Sequence, residues 1–247
     1  MTVSPGDIIR SVAAITDDLV AGVQQLRFAP PVTHVYNPLT YARSGFDQYV
    51  CKYGNRPKRV IFVGMNPGPF GMAQTGVPFG DVDMVTRYLD IAAPIGDPLK
   101  THPKRPIAGF ACTRGEVSGR RLWGWAQHRF GPPTAFFQHF FVLNYCPLVF
   151  MEVSGRNRTP DKLQKMERHA LFAECDRALR RSVDVYQPGW VVGIGAFAHQ
   201  RAAVALKGMD VEFGRITHPS PANPKANQGW QQRVEAELAA MGIAVPA

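Results

Sequence analysis

The sequence predicts an α/β fold built on a parallel sheet. Four short runs have the length of strands, at residues 59–65, 140–146, 190–195 and 211–217. The first three are almost continuously apolar, as expected of strands that helices cover on both faces. Apolar residues at helical spacing fill the intervals, at about 81–92, 160–182, 196–207 and 223–240. This alternation of strand and helix favours parallel strands joined by right-handed crossovers.

The N-terminal part of the chain predicts a helix within residues 1–27, because apolar side chains recur at helical spacing from residue 7. Residues 28–58 are rich in loop-forming residues. Acidic residues among the apolar positions argue against a signal peptide, and no apolar run approaches the roughly 20 residues of a membrane span. The 247 residues are enough for one sizeable core. We therefore expect a single domain over residues 1–247, a monomer that makes no contact with a membrane.

The charge balance indicates an acidic partner. The chain carries 28 basic and 19 acidic residues, a net charge of +9, and a nucleic acid is the first candidate for such a surface. An ordinary basic surface is the alternative. The four cysteines lie far apart without a C-x-x-C pair, which argues against a zinc or iron–sulfur framework. Reduced thiols inside the cell are the simplest interpretation.

The loop "GMNPGPFGMAQTGVPFGD" at residues 64–81 follows the first strand directly and contains five glycines and three prolines. It contains no lysine and matches no phosphate-binding motif. Glycines allow backbone N–H groups to approach a small flat ligand, and prolines hold the shape. Asn66 and Phe79 are its recognition side chains, an amide and an aromatic face. The alternatives are that Asn66 caps a turn and that Phe79 packs in the core.

Two further segments follow strands. "LNYCPL" places Asn144 at a strand end, where its amide is complementary to the edge of uracil or thymine and not to cytosine. "THPSPANPKANQGW" places His218 before a helix start signalled by Asn223 and Pro224. A helix dipole there disfavours the imidazolium, which predicts a neutral histidine that donates a hydrogen bond. A strand-end cap and a structural histidine are the alternatives for these two side chains.

All three segments follow predicted strands, so they converge on the carboxyl edge of the sheet, where α/β proteins bind ligands. The three motifs resemble those of the single-strand-selective monofunctional uracil-DNA glycosylases, a family of the uracil-DNA glycosylase superfamily. "HPKRP" at 102–106 and "EVSG" at 116–119 also look like family segments, and the similarity runs from about residue 28 to residue 231. The resemblance implies a three-layer αβα sandwich with a central four-stranded parallel sheet, and neither a metal nor an organic cofactor.

The resemblance also implies roles for the candidate residues. Asn66 would position the attacking water, and His218 would stabilise the leaving uracil at O2. Phe79 would stack on the flipped base, whose edge Asn144 would read. Residues 68–72 would line the pocket beside the base C5 atom and leave room for 5-hydroxymethyluracil and 5-formyluracil. The substrate-binding set expected from the family is Met65, Gly68, Phe70, Met72, Phe79 and Asn144.

The implied reaction is hydrolysis of the N-glycosidic bond of uracil in single- and double-stranded DNA, which leaves an intact abasic site for base excision repair. The DNA wedge is expected at Pro219, Ser220, Pro221, Ala222 and Asn223. Vertebrate members have an arginine where Ala222 stands, so flipping from a stable duplex should be affected more than flipping from single strands. Phosphate contacts are expected from Lys104, Arg105, Arg114, Arg120 and Arg121.

Other functions remain open at this point. One is a superfamily relative with another base preference, such as thymine or hypoxanthine. Another is a non-catalytic single-stranded DNA binder that has kept the pocket. A nucleotide-binding α/β enzyme is disfavoured because the chain lacks a phosphate loop. The expected location is the cytoplasm or nucleoid of a bacterium, or the nucleus of a eukaryotic cell.

Overall fold

The predicted central strands form one parallel sheet in the computed structural model, which describes residues 4–245. Numbered in chain order over both sheets of the fold, they are β2 (Val60–Gly64), β3 (Phe140–Asn144), β6 (Trp190–Ile194) and β7 (Glu212–Ile216). Their spatial order is β3-β2-β6-β7, and Val60 of β2 lies opposite Phe140 and Trp190. Residues 1–3 and 246–247 of the expected domain lie outside the described residues.

Helices cover both faces of this sheet. The helices are α1 (Pro5–Gln24), α2 (Pro38–Tyr41), α3 (Arg43–Tyr53), α4 (Met72–Thr75), α5 (Val117–Phe130), α6 (Pro133–Phe137), α7 (Lys165–Tyr186), α8 (Ala196–Ala205) and α9 (Trp230–Ala240). On one face, Phe62 of β2 packs against Trp125 of α5 and Phe136 of α6. On the other face, Phe141 of β3 packs against Tyr186 of α7. The predicted three-layer αβα sandwich is confirmed.

The segment expected to be loop-rich contains α3, which covers the edge strand of the sheet. The Tyr49 ring stacks on Phe141 with 4.8 Å between ring centroids. Its hydroxyl donates to the Val142 carbonyl at 3.1 Å and accepts from the Val142 N–H at 3.3 Å. Tyr49 therefore occupies backbone groups of β3 that would otherwise be open to pairing with another strand.

A second sheet was not predicted. It is antiparallel in the order β1-β4-β5, with β1 at Val32–Tyr36, β4 at Val149–Glu152 and β5 at Asn157–Arg158. Its strands are two to five residues long, and β1 and β5 contain polar residues in place of a continuous apolar run. The Tyr36 hydroxyl donates to the Arg105 carbonyl and accepts from the His102 N–H. This sheet therefore fixes the basic loop at residues 102–106.

Two predicted helices have different forms in the structure. The pattern at 81–92 forms a short π-helical turn, Met84–Tyr88. The pattern at 223–240 is divided into a 3₁₀ turn, Pro224–Asn227, and α9, because Gly229 has a φ of +80° between them. Helices α5 and α6 were not predicted from the sequence. No helix within residues 4–245 is long and apolar enough to cross a membrane.

Candidate active site

A cavity of about 430 Å³ opens at the carboxyl edge of the parallel sheet. The loop after β2, the end of β3 and the loop after β7 meet there, as predicted from the order of strands. Of the expected site residues, the cavity is lined by Met65, Asn66, Gly68, Met72, Phe79, Asn144, His218 and Ser220. The expected Phe70 is not among its lining residues.

Gly64 allows the two recognition side chains to approach the end of β2. A Cβ atom at this position would lie 2.5 Å from Asn144 Oδ1 and 2.7 Å from the Phe79 ring. Both distances are shorter than any ordinary carbon contact, so only glycine fits without displacing them. The floor of the cavity therefore depends on the absence of a side chain at Gly64.

Phe79 has a φ of +53°, an uncommon backbone conformation for a residue other than glycine. Its carbonyl accepts hydrogen bonds from the Trp123 indole N–H at 3.1 Å and from the Asp81 N–H at 2.9 Å. The ring is partly buried against the core and also lines the cavity, 6.1 Å from the His218 ring. Such a conformation costs about 1–3 kcal/mol and is held by its surroundings.

Asn66 is oriented by a distant part of the chain. Its Nδ2 donates to the Leu148 carbonyl at 3.0 Å, 82 residues away. Its Oδ1 has no hydrogen-bond partner among residues 4–245 and belongs to a side chain that lines the cavity. The main hydrogen bond of Asn66 is therefore long-range, and Asn66 is not the turn cap considered as the alternative in the sequence analysis. The amide is left with a free acceptor.

Asn144 stands at the end of β3 with its amide between two groups of the cavity wall. Its Nδ2 lies 3.2 Å from the Met72 sulfur, and its Oδ1 lies on the Gly64 side. Met72 is therefore on the side of the amide nitrogen. A base that pairs with this amide would direct its N3–H to Oδ1 and its O4 to Nδ2, with C5 toward Met72.

His218 is neutral and has one defined tautomer. Its Nδ1 accepts from the Ser220 N–H at 3.1 Å, so the ring proton is on Nε2. Burial lowers the pKa of His218 to about 4. The expected helix dipole is not the cause, because the following element is a four-residue 3₁₀ turn. Asn223 caps that turn, as predicted, and also donates to the His218 carbonyl at 3.2 Å.

Four polar residues of the cavity wall were missed by sequence reasoning: Glu116, Ser118, Asn157 and Thr159. Glu116 caps α5 by accepting from the Ser118 and Gly119 N–H groups, and burial raises its pKa. Its position before a helix start was the available signal in "EVSG". Asn157 belongs to β5 of the unpredicted second sheet and Thr159 follows that strand, and nothing in their local sequence indicates a pocket.

The expected wedge residues follow His218 in the loop after β7, and Ser220 among them lines the cavity. Pro221 and Ala222 are exposed at the tip of the loop after β7, and Pro219 is buried. Phe70 lies under two cations, with the Arg114 and Arg105 guanidinium carbons 4.1 and 5.3 Å from its ring centroid.

The other basic candidates differ in their exposure and in their hydrogen-bond partners within the protein. Lys104 is exposed. Arg120 is exposed but donates to the buried Asp81 carboxylate at 3.1 Å. Arg121 is half-buried and donates to two acceptors beyond His218.

The part of the chain that the structure describes contains no cluster of metal-ligating side chains. Residues 4–245 contain no group of three or more histidine, cysteine, aspartate or glutamate side chains that could hold an ion. All four cysteines are free thiols.

Comparison with known proteins gives consistent results. The model of the uracil DNA glycosylase superfamily matches residues 51–239. Single-strand selective monofunctional uracil DNA glycosylases of mouse and rat are 46% identical over 227 residues, 91% of this chain and 81–82% of theirs. The bovine protein of that name is 45% identical over 90% of this chain and 82% of its own length. The crystal structure of wild-type SMUG2 from Pedobacter heparinus has the same fold, with a TM-score of 0.65, 17% identity, and coverage of 92% of this chain and 97% of that one.

Proposed function

This chain belongs to the uracil DNA glycosylase superfamily, and on that premise we propose that its cavity receives a uracil flipped out of DNA and releases it by hydrolysis. The enzyme is a uracil-DNA glycosylase, a hydrolase of N-glycosidic bonds without lyase activity. One observation carries the proposed site. The same cavity is lined by His218, which has a neutral Nε2–H donor, and by Asn66, which has a free Oδ1 acceptor.

The proposed reaction breaks the bond between C1′ of deoxyribose and N1 of uracil. The base leaves with the electron pair, and negative charge develops on its O2 atom. Nε2–H of His218 donates to O2, and this hydrogen bond becomes stronger as the charge develops. The low pKa of His218 keeps the ring neutral at physiological pH, so it donates a hydrogen bond and keeps its proton.

Water is the proposed nucleophile. Oδ1 of Asn66 accepts a hydrogen bond from it and directs an oxygen lone pair toward C1′. An amide is not a strong base, so the water loses its proton to solvent after the C1′–N1 bond has largely broken. The reaction is therefore driven by the leaving group and needs no lysine nucleophile, and the product is an intact abasic site.

Base recognition is assigned to Asn144 and Phe79, with Met65 in the wall beside them. The orientation of the Asn144 amide supports contact with O4 and N3–H of uracil, and the Phe79 ring supplies the stacking surface. Cytosine presents an acceptor at N3 and a donor at C4, so the same amide orientation rejects it.

The proposed substrate range includes 5-hydroxymethyluracil and 5-formyluracil. Two observations support it: Met72 lies beside Nδ2 of Asn144, which in the proposed pose faces O4 and C5 of the base, and a Cβ on Gly68 would meet no heavy atom closer than Glu116 Cγ at 3.9 Å. Gly68→Ala therefore fits the fold but reduces this space. We expect it to slow release of 5-hydroxymethyluracil more than release of uracil, measured side by side on otherwise identical oligonucleotides.

Both single-stranded and duplex DNA are proposed substrates, with Pro219, Ser220, Pro221, Ala222 and Asn223 as the wedge loop. Single strands should be cleaved faster, because Ala222 is a short side chain at the exposed tip and flipping costs least in a single strand. Lys104, Arg105, Arg114 and Arg120 are the proposed phosphate contacts, which makes affinity steeply dependent on salt.

The direct test is cleavage of end-labelled single-stranded and duplex oligonucleotides that carry one uracil. Wild type should produce abasic sites, revealed by alkali. Asn66→Ala and His218→Ala should each lower the rate by about 10²–10³-fold, whereas His128→Ala, an exposed histidine of α5, should not.

Two results would change the proposal. Tight, salt-sensitive DNA binding by wild type without cleavage would establish a non-catalytic binder. Borohydride trapping of a covalent protein–DNA adduct would contradict the water mechanism.

A further inference from the structure

Arg121 belongs to the basic segment expected to contact phosphates, but its guanidinium faces the protein. Nη1 donates to the Pro219 carbonyl at 2.9 Å, and Nη2 donates to Asn227 Oδ1 at 2.9 Å. Asn227 in turn donates through Nδ2 to the Pro221 carbonyl at 3.0 Å. Both Nη groups thus have protein partners, and the side chain is half-buried.

These bonds anchor the loop that carries His218. Pro219 follows His218 directly, and Asn227 ends the 3₁₀ turn beyond the exposed tip. Arg121 therefore joins both ends of the loop to α5. The same helix is capped by Glu116, which also lines the cavity. One helix thus contacts the His218 loop and supplies a lining residue of the same cavity.

The planar guanidinium suits this role because its N–H groups diverge in a fixed fork. A lysine carries the same charge on a single nitrogen and lacks the rigid fork that holds two separate acceptors. The Pro219 carbonyl accepts directly from Arg121. The Pro221 carbonyl accepts from Asn227, whose side chain in turn accepts from Arg121. The loop tip, by contrast, has no side chain long enough to hold itself against α5.

We propose that Arg121 is a positioning residue that anchors the His218 loop to α5 and thereby aligns Nε2–H with the base, and that it is not a phosphate contact. This inference rests on the proposed function for its effect on rate. Its effect on loop order is independent of catalysis.

The test compares Arg121→Lys, which retains the charge, with Asn227→Ala, which removes the Asn227 branch of the anchor without changing any charge and leaves the Pro219 hydrogen bond. Single-turnover cleavage of a single-stranded uracil oligonucleotide should fall roughly tenfold to hundredfold in each variant. The double variant should lose little more than Arg121→Lys alone, because the Asn227 branch depends on the Arg121 guanidinium. DNA affinity and its salt slope, measured with a non-cleavable 2′-fluoro-deoxyuridine oligonucleotide, should stay at wild-type values.

Two arginines provide the controls. Arg114→Gln removes a proposed phosphate contact and should weaken affinity and reduce the salt slope by about 1. Arg56→Gln removes the same charge from an exposed position before β2 and should leave rate, affinity and slope unchanged. If Arg121→Gln matches Arg114→Gln in slope while Arg121→Lys keeps the full rate, Arg121 is a phosphate contact and the inference is wrong.

The pH–rate profile separates misalignment from a general loss of stability. The acid limb in wild type should follow the His218 pKa of about 4. In Arg121→Lys a loosened loop admits water, and the limb should move toward the ordinary histidine value of about 6.5. The other titratable or charged groups that line the two cavities beside His218 are Glu116, Arg215, Lys225, Arg233 and Glu237. None of these groups is substituted in Arg121→Lys. An acid limb at the wild-type pH would therefore contradict the proposal that Arg121 anchors the His218 loop.

Hydrogen exchange without DNA keeps the inference testable if wild type does not cleave. Amides of residues 220–229 should exchange faster in Arg121→Lys and Asn227→Ala than in wild type or Arg56→Gln. Unchanged exchange in both variants would refute the anchor. Absence of cleavage by wild type would refute only the proposed function.

Discussion

The substitution Gly64→Ala tests whether the cavity floor is as tight as its geometry indicates. The new Cβ would lie 2.5 Å from Asn144 Oδ1, whereas ordinary contact begins at 3.4 Å, so the amide must retreat by the difference of about 0.9 Å. The Phe79 ring, 2.7 Å from the same Cβ, must also move. A misplacement of about 1 Å costs roughly 10²-fold in rate, equivalent to about 2.7 kcal/mol of activation free energy.

The assay is single-turnover release of uracil from a single-stranded oligonucleotide, with urea unfolding in parallel. Overpacking should cost about 1–3 kcal/mol of unfolding free energy, which leaves a folded protein to assay. Gly124→Ala is the matched control, because no atom lies within 4 Å of a Cβ at that position of α5. It should keep the wild-type rate and gain about 0.5–1 kcal/mol of stability. A Gly64→Ala enzyme within threefold of the wild-type rate would show that Asn144 and Phe79 do not need their present positions.

Three other substitutions have defined outcomes. The folded pKa of His218, about 4, lies below its unfolded value of about 6.5, so its contribution to stability is full above about pH 6.5 and is lost as pH falls toward 4. Between about pH 7.5 and pH 5 this loss should be about 2 kcal/mol in urea unfolding, and His218→Gln should abolish that part of the pH dependence. Ala222→Arg should raise duplex cleavage about threefold to tenfold relative to single-strand cleavage, since a longer side chain supports the unstacked site; an unchanged ratio would argue against the wedge assignment. Lys58→Met should cost about 1–3 kcal/mol of unfolding free energy, because the Tyr53 and Phe137 carbonyls lose their buried donor at 2.6 and 2.5 Å, whereas the exposed Lys207→Met should change stability by less than about 0.5 kcal/mol.

Much of the fold could be predicted because its central strands are buried on both faces. Such strands must be apolar throughout, and the runs in β2, β3 and β6 have this property. The second sheet could not be predicted, because β5 has only two residues and gains its structure by pairing with β4. α5 begins after a cap made by Glu116. Turn-forming residues next to Glu116 in the sequence hid the start of this helix from prediction.

The sequence by itself placed four side chains at the cavity, Asn66, Phe79, Asn144 and His218, and missed four polar ones, Glu116, Ser118, Asn157 and Thr159. Asn144 ends a strand of the parallel sheet, and Asn66 and His218 follow two others, so chain order alone places them at one edge. Phe79 follows in the same loop as Asn66. These predictions needed only local pattern and the rule that parallel strands end together.

Only the tertiary structure decided how these side chains are oriented and charged. Asn66 is turned by a carbonyl 82 residues away, and Arg121 is bound by a carbonyl 98 residues away. His218 has its low pKa from burial and not from the helix dipole that the sequence suggested. Hydrogen bonding and desolvation depend on which atoms lie within a few ångströms, and for residues far apart in the chain only the folded structure determines that.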